Sequence, residues 1–141
     1  MKIEGSRLEA VTPETFGTRF VMGTNYPMAF RDIYRANSYH LQDPILAACR
    51  SRMIPLTWDD VAENEAIPGD REVLSLAADF GLQNGFTVPI HTPSGARVVI
   101  SLSSDAPKPE FAAMVAEHQH ALHVMALHFH EHMERKLAEM A

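Results

Sequence analysis

The sequence contains one cysteine, Cys49, and one tryptophan, Trp58, in 141 residues. A single cysteine excludes an internal disulfide, and its place in the apolar run ILAAC indicates a packing role in a reduced compartment. No apolar run reaches the roughly 18 residues that a membrane-spanning helix needs. The N-terminal MKIEGSRLEA also lacks the apolar core of a secretion signal. These absences predict a cytoplasmic protein.

Positive charge is also scarce, with 12 Lys and Arg against 18 Asp and Glu and a net charge of −6. Nucleic-acid surfaces need positive charge because phosphate contacts dominate their affinity. The sequence has no basic cluster and no spare pair of apolar helices for a helix-turn-helix. The composition therefore argues against direct nucleic-acid binding and is typical of one globular domain with a real core.

Motifs that carry catalysis are absent as well. There is no Gly-x-Ser-x-Gly, no Gly-rich phosphate loop and no pair of carboxylates placed on one helical face in a pocket-like setting. Six of the eight histidines lie between positions 118 and 132, and His128 and His132 have the i, i+4 spacing of a two-ligand metal pair. Because no third ligand accompanies that pair, we predict no metal site. Because the catalytic motifs are absent, we also predict no catalytic residue and no cofactor.

The most informative stretch runs from Thr24 to Trp58 and contains all three tyrosines. Tyr26, Phe30 and Tyr34 are spaced i, i+4, i+8, which places their rings on one face of a helix. Pro27 suits the first turn of that helix because its missing N–H is not needed there. Such aromatic walls line pockets for small amphiphilic ligands, and they are equally typical of an ordinary core.

A second helix is predicted after the Asp43-Pro44 pair. Aspartate is a favoured N-cap, proline is favoured at the first helical position, and ILAAC continues as an apolar helix. The Asp43 carboxylate is therefore expected to cap this helix or to accept a hydrogen bond from a ligand. The two roles are compatible because a carboxylate has two oxygens.

The rest of the chain predicts short strands and helices. Residues 6–11 and 18–23 are expected to form a hairpin, and the acidic DDVAENEAIPGD is expected to be an exposed loop. A helix is predicted over Arg71–Phe80, with Gly81 ending it. A last helix is predicted from about Glu110. Its expected apolar stripe contains Phe111, Met114, Val115, His118, Leu122, Met125, Phe129, Met133, Leu137 and Met140.

The clearest hairpin is predicted at Phe86–His91 and Ala96–Ser103, turning through TPSG. Its alternation gives one apolar face, which the last helix should cover, and one mixed face that includes Thr87 and Ser101. That mixed face is either solvated or the floor of a pocket. Pro89 disfavours a central position for its strand. Together these elements predict an α+β layered domain with an antiparallel sheet.

Several of these motifs, in this order, resemble the autoinducer-binding domain of LuxR-type quorum-sensing receptors. They are TNY, the aromatic four residues later, the DP step, Trp58 and DFGLQNGFTVP, and the resemblance extends from about Arg19 to the C-terminus. It implies an α-β-α sandwich with a central antiparallel sheet, helices on both faces and a long C-terminal helix. It also implies a signal receptor in transcription regulation that encloses an N-acyl homoserine lactone.

The same resemblance implies a role for each candidate residue. Asp43 would accept the amide N–H of the ligand, and Tyr26 would donate to the acyl carbonyl. Trp58 would pack on the lactone ring and Tyr34 would flank the acyl chain. Thr87 and Ser101 would lie on the pocket side of the sheet. Phe30 stands where the family usually has a tryptophan, so the wall is kept and one hydrogen-bond donor to the lactone carbonyl is lost.

The extent of the chain gives a final expectation. We expect residues 1–141 to form a single autoinducer-binding domain that is short at its N-terminus and lacks a helix-turn-helix. The missing helix would leave apolar surface exposed, which predicts a homodimer or a heterodimer with a full-length receptor. The alternative function is a ligand-free dimerisation module that inhibits such a receptor.

Overall fold

A three-stranded antiparallel sheet organises the C-terminal part of the computed structural model. The long β4 pairs with β5 on one side and with the two-residue β3 on the other. The β4–β5 register runs from Asn84 opposite Ser104 to His91 opposite Arg97, which confirms the predicted hairpin. The strands are β3 (Leu56–Thr57), β4 (Asn84–His91) and β5 (Arg97–Ser104).

The structure describes residues 7–11 and 20–139, with side chains described from residue 24 onward except residue 137. The predictions for Ser6, for the turn over residues 12–19 and for the alternation of Phe20 and Met22 lie outside this description. The chain divides into two units between Leu41 and Gln42.

The N-terminal unit contains a second antiparallel strand pair and one helix. Strands β1 and β2 pair from Arg7 opposite Thr24 to Val11 opposite Phe20, which confirms the predicted hairpin. Helix α1 begins one residue after Pro27, whose φ of −52° and ψ of 134° are extended, so the prediction of Pro27 in the first turn was wrong. The elements are β1 (Arg7–Val11), β2 (Phe20–Thr24), α1 (Met28–Ala36) and a 3-10 turn (Tyr39–Leu41).

The C-terminal unit adds helices around its sheet. The predicted helix near Arg71–Phe80 is confirmed as α4, and Gly81 follows it with a φ of +83°, a conformation that favours glycine at a helix end. The helices of this unit are α2 (Pro44–Cys49), α3 (Trp58–Glu63), α4 (Glu72–Asp79) and α5 (Lys108–Glu139).

The acidic segment after Trp58 is an exposed loop, as predicted, only in its second half, residues 64–70. Its first half forms α3, with the side chain of Thr57 accepting a hydrogen bond from the Asp60 N–H at 3.3 Å as an N-cap. Val61 is only 1% exposed and Ile67 is 8% exposed. Acidic residues are favourable in the first turn of a helix, and the two buried apolar side chains attach a segment whose other residues are mostly exposed.

The core lies between the apolar face of the sheet and α5. Phe86, Val88 and Ile90 of β4 are buried together with Phe111 and Ala126 of α5. Burying a side chain of this size contributes about 1.5–3 kcal/mol. The opposite face of β4 is covered by Trp58, the first residue of α3. Helices therefore lie on both faces of the sheet, which confirms the α-β-α layered, α+β fold.

The predicted stripe on α5 is correct only in the first half of the helix. Met125 and Phe129 are 65% and 55% exposed, and the His118 side chain is 54% exposed. Ala126 is buried in their place. An eight-residue strand spans about 26 Å, whereas 32 helical residues span about 48 Å, so α5 is longer than the sheet that it covers.

Pro89 lies in the central strand, contrary to the prediction. Strand β3 pairs only with Phe86 and Thr87, so its ladder ends before it reaches Pro89. Proline needs no hydrogen-bond partner for its nitrogen, and the position is tolerated because only one side of β4 is paired there. No helix in the described part of the chain is long and apolar enough to cross a membrane.

Candidate functional site

A row of four aromatic rings forms in the N-terminal unit. The ring centroids of Tyr26 and Phe30 are 6.1 Å apart, those of Phe30 and Tyr34 are 5.8 Å apart, and those of Tyr34 and Tyr39 are 6.0 Å apart. The first and last pairs meet edge to face, the preferred geometry of aromatic quadrupoles. The i, i+4, i+8 spacing thus brings the three predicted rings together, and Tyr39 extends the row.

Local hydrogen bonding fixes the start of this row. Tyr26 precedes α1, and its backbone N–H donates to the Thr24 hydroxyl at 3.0 Å. Phe30, one turn into the helix, is 6% exposed. Each aromatic pair contributes about 0.5–1.5 kcal/mol beyond its buried area, so the row is a stiff apolar wall.

Asp43 caps α2 as the sequence predicts. Its Oδ1 accepts a hydrogen bond from the Ile45 N–H at 2.9 Å, and Pro44 occupies the first helical position. The helix behind it is apolar, since Pro44, Ile45, Ala48 and Cys49 are buried. The carboxylate is therefore held in one orientation at the end of an apolar helix.

The negative charge of Asp43 affects the pKa of Cys49, the last residue of the helix that Asp43 caps. Burial and, to a lesser extent, the charge of Asp43 raise the pKa of the Cys49 thiol to about 11, and Arg52 acts in the opposite direction. A thiol of this kind stays protonated at neutral pH and is a poor nucleophile. Cys49 is therefore a packing residue, as its apolar run predicts.

Trp58, Thr87 and Ser101 form a hydrogen-bonded chain in the C-terminal unit. The Trp58 indole N–H donates to the Thr87 hydroxyl at 2.9 Å, and the Thr87 and Ser101 hydroxyl oxygens are 2.8 Å apart. Thr87 is fully buried, so the solvated alternative for this residue was wrong. Thr87 and Ser101 are neighbours because they are register partners in β4 and β5.

Either hydroxyl of the Thr87–Ser101 pair can donate, and the indole donor favours one of the two directions. The Thr87 oxygen already accepts from Trp58, and its own proton is best used if Thr87 donates to Ser101. The Ser101 hydroxyl, which is half-buried, then keeps its proton for another acceptor. The arrangement can thus present a hydrogen-bond donor on the mixed face of the sheet.

Gly85 provides the surface on which Trp58 lies. A methyl group at this glycine would collide with the Trp58 indole ring. The close approach explains why a strand residue without a side chain stands next to Phe86 in a buried strand. Trp58 is only 9% exposed as a result.

The structure places the predicted site residues in two units. Tyr26, Phe30 and Tyr34 form the row in the N-terminal unit, and the C-terminal unit contains the Trp58 chain together with the Asp43 cap. Sequence reasoning missed Tyr39 as a fourth ring, whose i+5 spacing from Tyr34 is not a helical neighbour position. Gly85 lies within the motif DFGLQNGFTVP, and its contact with Trp58 was also not predicted.

A cavity of about 250 Å³ with several charged side chains in its lining lies beside the start of α5. Lys108 reaches it, with its Nζ 3.2 Å from Asp59 and 3.6 Å from Glu63. The hydrogen bond to Asp59 and the two neighbouring carboxylates raise the pKa of Lys108. This charged lining does not suit an apolar ligand, so the cavity is not the candidate site.

The histidines of α5 are spread over its surface. His130 is the exception, with a side chain 13% exposed and its Nε2 3.5 Å from Glu134. Across residues 7–11 and 20–139, no three His, Cys, Asp or Glu side chains are grouped so that they could hold a metal ion.

Comparison with known proteins identifies the family. The model of the autoinducer binding domain matches residues 8–133. The transcriptional activator BjaR1 of Bradyrhizobium diazoefficiens is 29% identical over 126 residues, covering 89% of this chain and 50% of BjaR1. The transcriptional activator TraR of Rhizobium radiobacter is 32% identical over 85 residues, covering 60% of this chain and 36% of TraR. The chain therefore spans about half the length of BjaR1 and 36% of the length of TraR.

Solved structures share the fold. The N-acylhomoserine lactone dependent LuxR family transcription factor CepR2 from Burkholderia cenocepacia has a TM-score of 0.71 at 24% identity, over 86% of this chain and 70% of CepR2. SdiA in complex with octanoyl-rac-glycerol has a TM-score of 0.53 at 26% identity, over 73% of this chain and 41% of SdiA. Both the fold and the matched residues agree with the resemblance that the sequence motifs indicate. The chain belongs to the autoinducer-binding domain family of LuxR-type transcription regulators, the signal-sensing part of quorum-sensing receptors.

Proposed function

We propose that this chain binds an N-acyl homoserine lactone or a similar acyl amphiphile and acts as the sensing domain of a transcription regulator, without catalysis. In this proposal the 141 residues work as one sensing domain. Asp43 accepts the amide N–H of the ligand, Tyr26 donates to the acyl carbonyl, and Tyr34 flanks the acyl chain. Phe30 is a wall residue, Trp58 packs on the ligand head group, and Thr87 and Ser101 lie on the pocket side of the sheet.

The observation that carries this proposal is the fixed carboxylate of Asp43. The bond from the Ile45 N–H sets its orientation, and the helix behind it is buried and apolar. A carboxylate in such surroundings forms a charge-assisted hydrogen bond with an amide N–H, roughly twice as strong as a neutral one. An ester oxygen in the same place has no proton to donate. Asp43 should therefore select amide-linked ligands.

The aromatic row supports the acyl part of the proposal. The chain of rings from Tyr26 to Tyr39 offers apolar surface with few polar groups, which suits a fatty acyl chain. The related SdiA forms a complex with octanoyl-rac-glycerol, an ester-linked octanoyl amphiphile. An acyl chain is thus the shared feature, and the head group is where Asp43 and Phe30 make a difference.

The test compares an amide and an ester that share one acyl chain. Calorimetry with octanoyl homoserine lactone and its ester analogue, in which an oxygen atom replaces the amide N–H, should give tighter binding of the amide by wild type. Asp43→Asn keeps an N-cap, because Asn caps as well as Asp, and removes the charge. We expect it to lose about tenfold in affinity for the amide and little for the ester, since the charge-assisted part of the bond is about 1.4 kcal/mol.

Asp59→Asn is the matched control because Asp59 is an exposed carboxylate that pairs with Lys108. It should bind both ligands as wild type does. A well-folded protein that binds neither ligand would refute the sensing function. That result would favour the alternative of a ligand-free module that pairs with and inhibits a full-length receptor.

We also propose that the domain dimerises through α5, as a homodimer or with a full-length receptor. Val124, Met125, Leu127 and Phe129 are 41–65% exposed on consecutive turns of this helix. Large apolar groups exposed together are typical of interaction sites. Light scattering should give a dimer for wild type and a monomer for Phe129→Glu. Met53→Glu, a similar change at a residue 80% exposed elsewhere, should remain a dimer.

A further inference from the structure

Arg71 binds four backbone carbonyls with one guanidinium. Its Nη1 donates to Ile67 O at 2.8 Å and to Gly69 O at 3.2 Å. Its Nη2 donates to Val61 O at 3.1 Å and to Asn64 O at 2.6 Å. Only the planar fork of arginine presents enough fixed donors for such a set.

These carbonyls belong to the end of α3 and to the loop that follows it. Val61 and Asn64 are at the C-terminal end of α3, where carbonyls lack helical partners and carry partial negative charge. Ile67 and Gly69 lie further along the loop. The side chain of Arg71 therefore holds residues 64–70 in one conformation from inside the loop.

The far end of this loop lies against the residues on either side of Asp43. The Asp70 N–H donates to Gln42 O at 2.7 Å. Gly69 has a φ of +129°, and a methyl group on it would be 2.7 Å from Gln42 O and 2.9 Å from Pro44 Cα. No side chain fits in that space. The backbone of the Gly69–Asp70 turn is therefore packed directly on the backbone that carries Asp43.

We infer that Arg71 is a positioning residue for Asp43, acting through the Gly69–Asp70 turn on Gln42 and Pro44. Arg71 sets the loop, the turn fixes the backbone on both sides of Asp43, and that backbone sets the direction of the carboxylate. The inference concerns the orientation of Asp43 and rests on the proposed function only for its consequence in ligand selection. Without Arg71, the end of α3 and the loop lose four hydrogen bonds, and the Asp43 carboxylate loses its fixed orientation.

The experiment uses Arg71→Met, which keeps an unbranched apolar side chain in place of the arginine stem and removes its donors. The first readout needs no ligand. Hydrogen exchange at the Ile45 amide reports the cap directly, because that N–H donates to Asp43 Oδ1. We expect Arg71→Met to speed this exchange at least tenfold.

Val88→Ala is the control for stability alone, since Val88 is 1% exposed in the core under α5 and lies away from this loop in the chain. At a urea concentration that equalises global stability, Val88→Ala should leave Ile45 exchange at the wild-type level. Gly69→Ala is the second variant, because it disturbs the same turn without touching the guanidinium. It should reproduce the faster exchange if Arg71→Met fails to fold.

The second readout is the ratio of affinities for octanoyl homoserine lactone and for its ester analogue, in which an oxygen atom replaces the amide N–H. Misplacing Asp43 should lower this amide-over-ester ratio at least threefold in Arg71→Met, whereas Val88→Ala should keep it. Ile45 exchange equal to that of the control in Arg71→Met and Gly69→Ala would overturn the inference. If Asp43→Asn has the same amide-over-ester ratio as wild type, the proposed role of Asp43 in ligand binding is refuted. The rate of Ile45 exchange would still decide the role of Arg71.

Discussion

Replacing Thr87 with valine should destabilise the protein, because it leaves the buried Trp58 indole N–H without a hydrogen-bond acceptor. Valine has nearly the shape of threonine, so the packing of β4 is kept while the hydroxyl is lost. The Trp58 indole N–H then points at a methyl group, and the indole is 9% exposed with little access to water. The cost of burying an unsatisfied donor is about 1–3 kcal/mol.

Losing the hydrogen bond between Thr87 and Ser101 changes this estimated cost very little. Ser101 is half-buried, so its hydroxyl can turn toward water when its hydrogen bond with Thr87 is lost. The extra methyl group of valine recovers about 0.8 kcal/mol of apolar burial. We therefore expect Thr87→Val to lower the free energy of unfolding by about 1–2 kcal/mol.

A double-mutant cycle with Trp58→Phe isolates the hydrogen bond. Phenylalanine has no N–H to strand, so Thr87→Val should cost less than about 0.5 kcal/mol in that background, and the coupling energy should be about 1 kcal/mol. Urea denaturation followed by far-UV circular dichroism suits all four proteins, because Trp58 is the only tryptophan and fluorescence disappears with it. Equal costs of Thr87→Val in both backgrounds would refute the hydrogen-bonded chain.

Three further predictions concern other residues of the candidate site. The raised pKa of Cys49, about 11, means that folding favours the neutral thiol; its stabilising effect should be complete below pH ~8.5 and lost as pH rises toward 11. Alkylation of Cys49 in the folded protein should accordingly be slow at pH 8, and rapid modification there would contradict the burial. Gly85→Ala should destabilise the fold by about 3 kcal/mol, because a methyl group collides with the Trp58 indole; an unchanged urea midpoint would count against that contact. Phe30→Trp should tighten lactone binding about tenfold by restoring one donor, and weaker binding in calorimetry would oppose the proposed position of Phe30 in the site.

Local rules predicted the parts of the site that one segment forms by itself. The Asp-Pro step predicted the cap of α2 because Asp43 bonds an N–H only two residues ahead. The spacing of Tyr26, Phe30 and Tyr34 predicted the aromatic row because helical neighbours are set by the 3.6-residue period. The β4–β5 hairpin followed from alternation around a short turn, which also placed Thr87 and Ser101 on one face.

Contacts between segments were beyond these rules. The acidic composition after Trp58 indicated a loop, yet burial of Val61 and Ile67 shaped it into α3 and an ordered turn. Arg71 looked like the start of a helix, and its carbonyl partners are up to ten residues earlier in the chain. The buried face of α5 was predicted wrongly after Leu122, because apolar residues occur on several faces of the helix there. Only the extent of the sheet decides which of them are buried.

The sequence by itself determined three rings of the aromatic row, the capped carboxylate, the hairpin and the family, since each depends on residues close in the chain, on strand alternation around a short turn or on ordered motifs. Tertiary structure decided that Thr87 accepts from Trp58 across 29 residues, that Gly85 must lack a side chain, and that the Gly69–Asp70 turn packs against Gln42 and Pro44. Such contacts depend on which distant segments meet. Packing in three dimensions fixes that, and no periodicity encodes it.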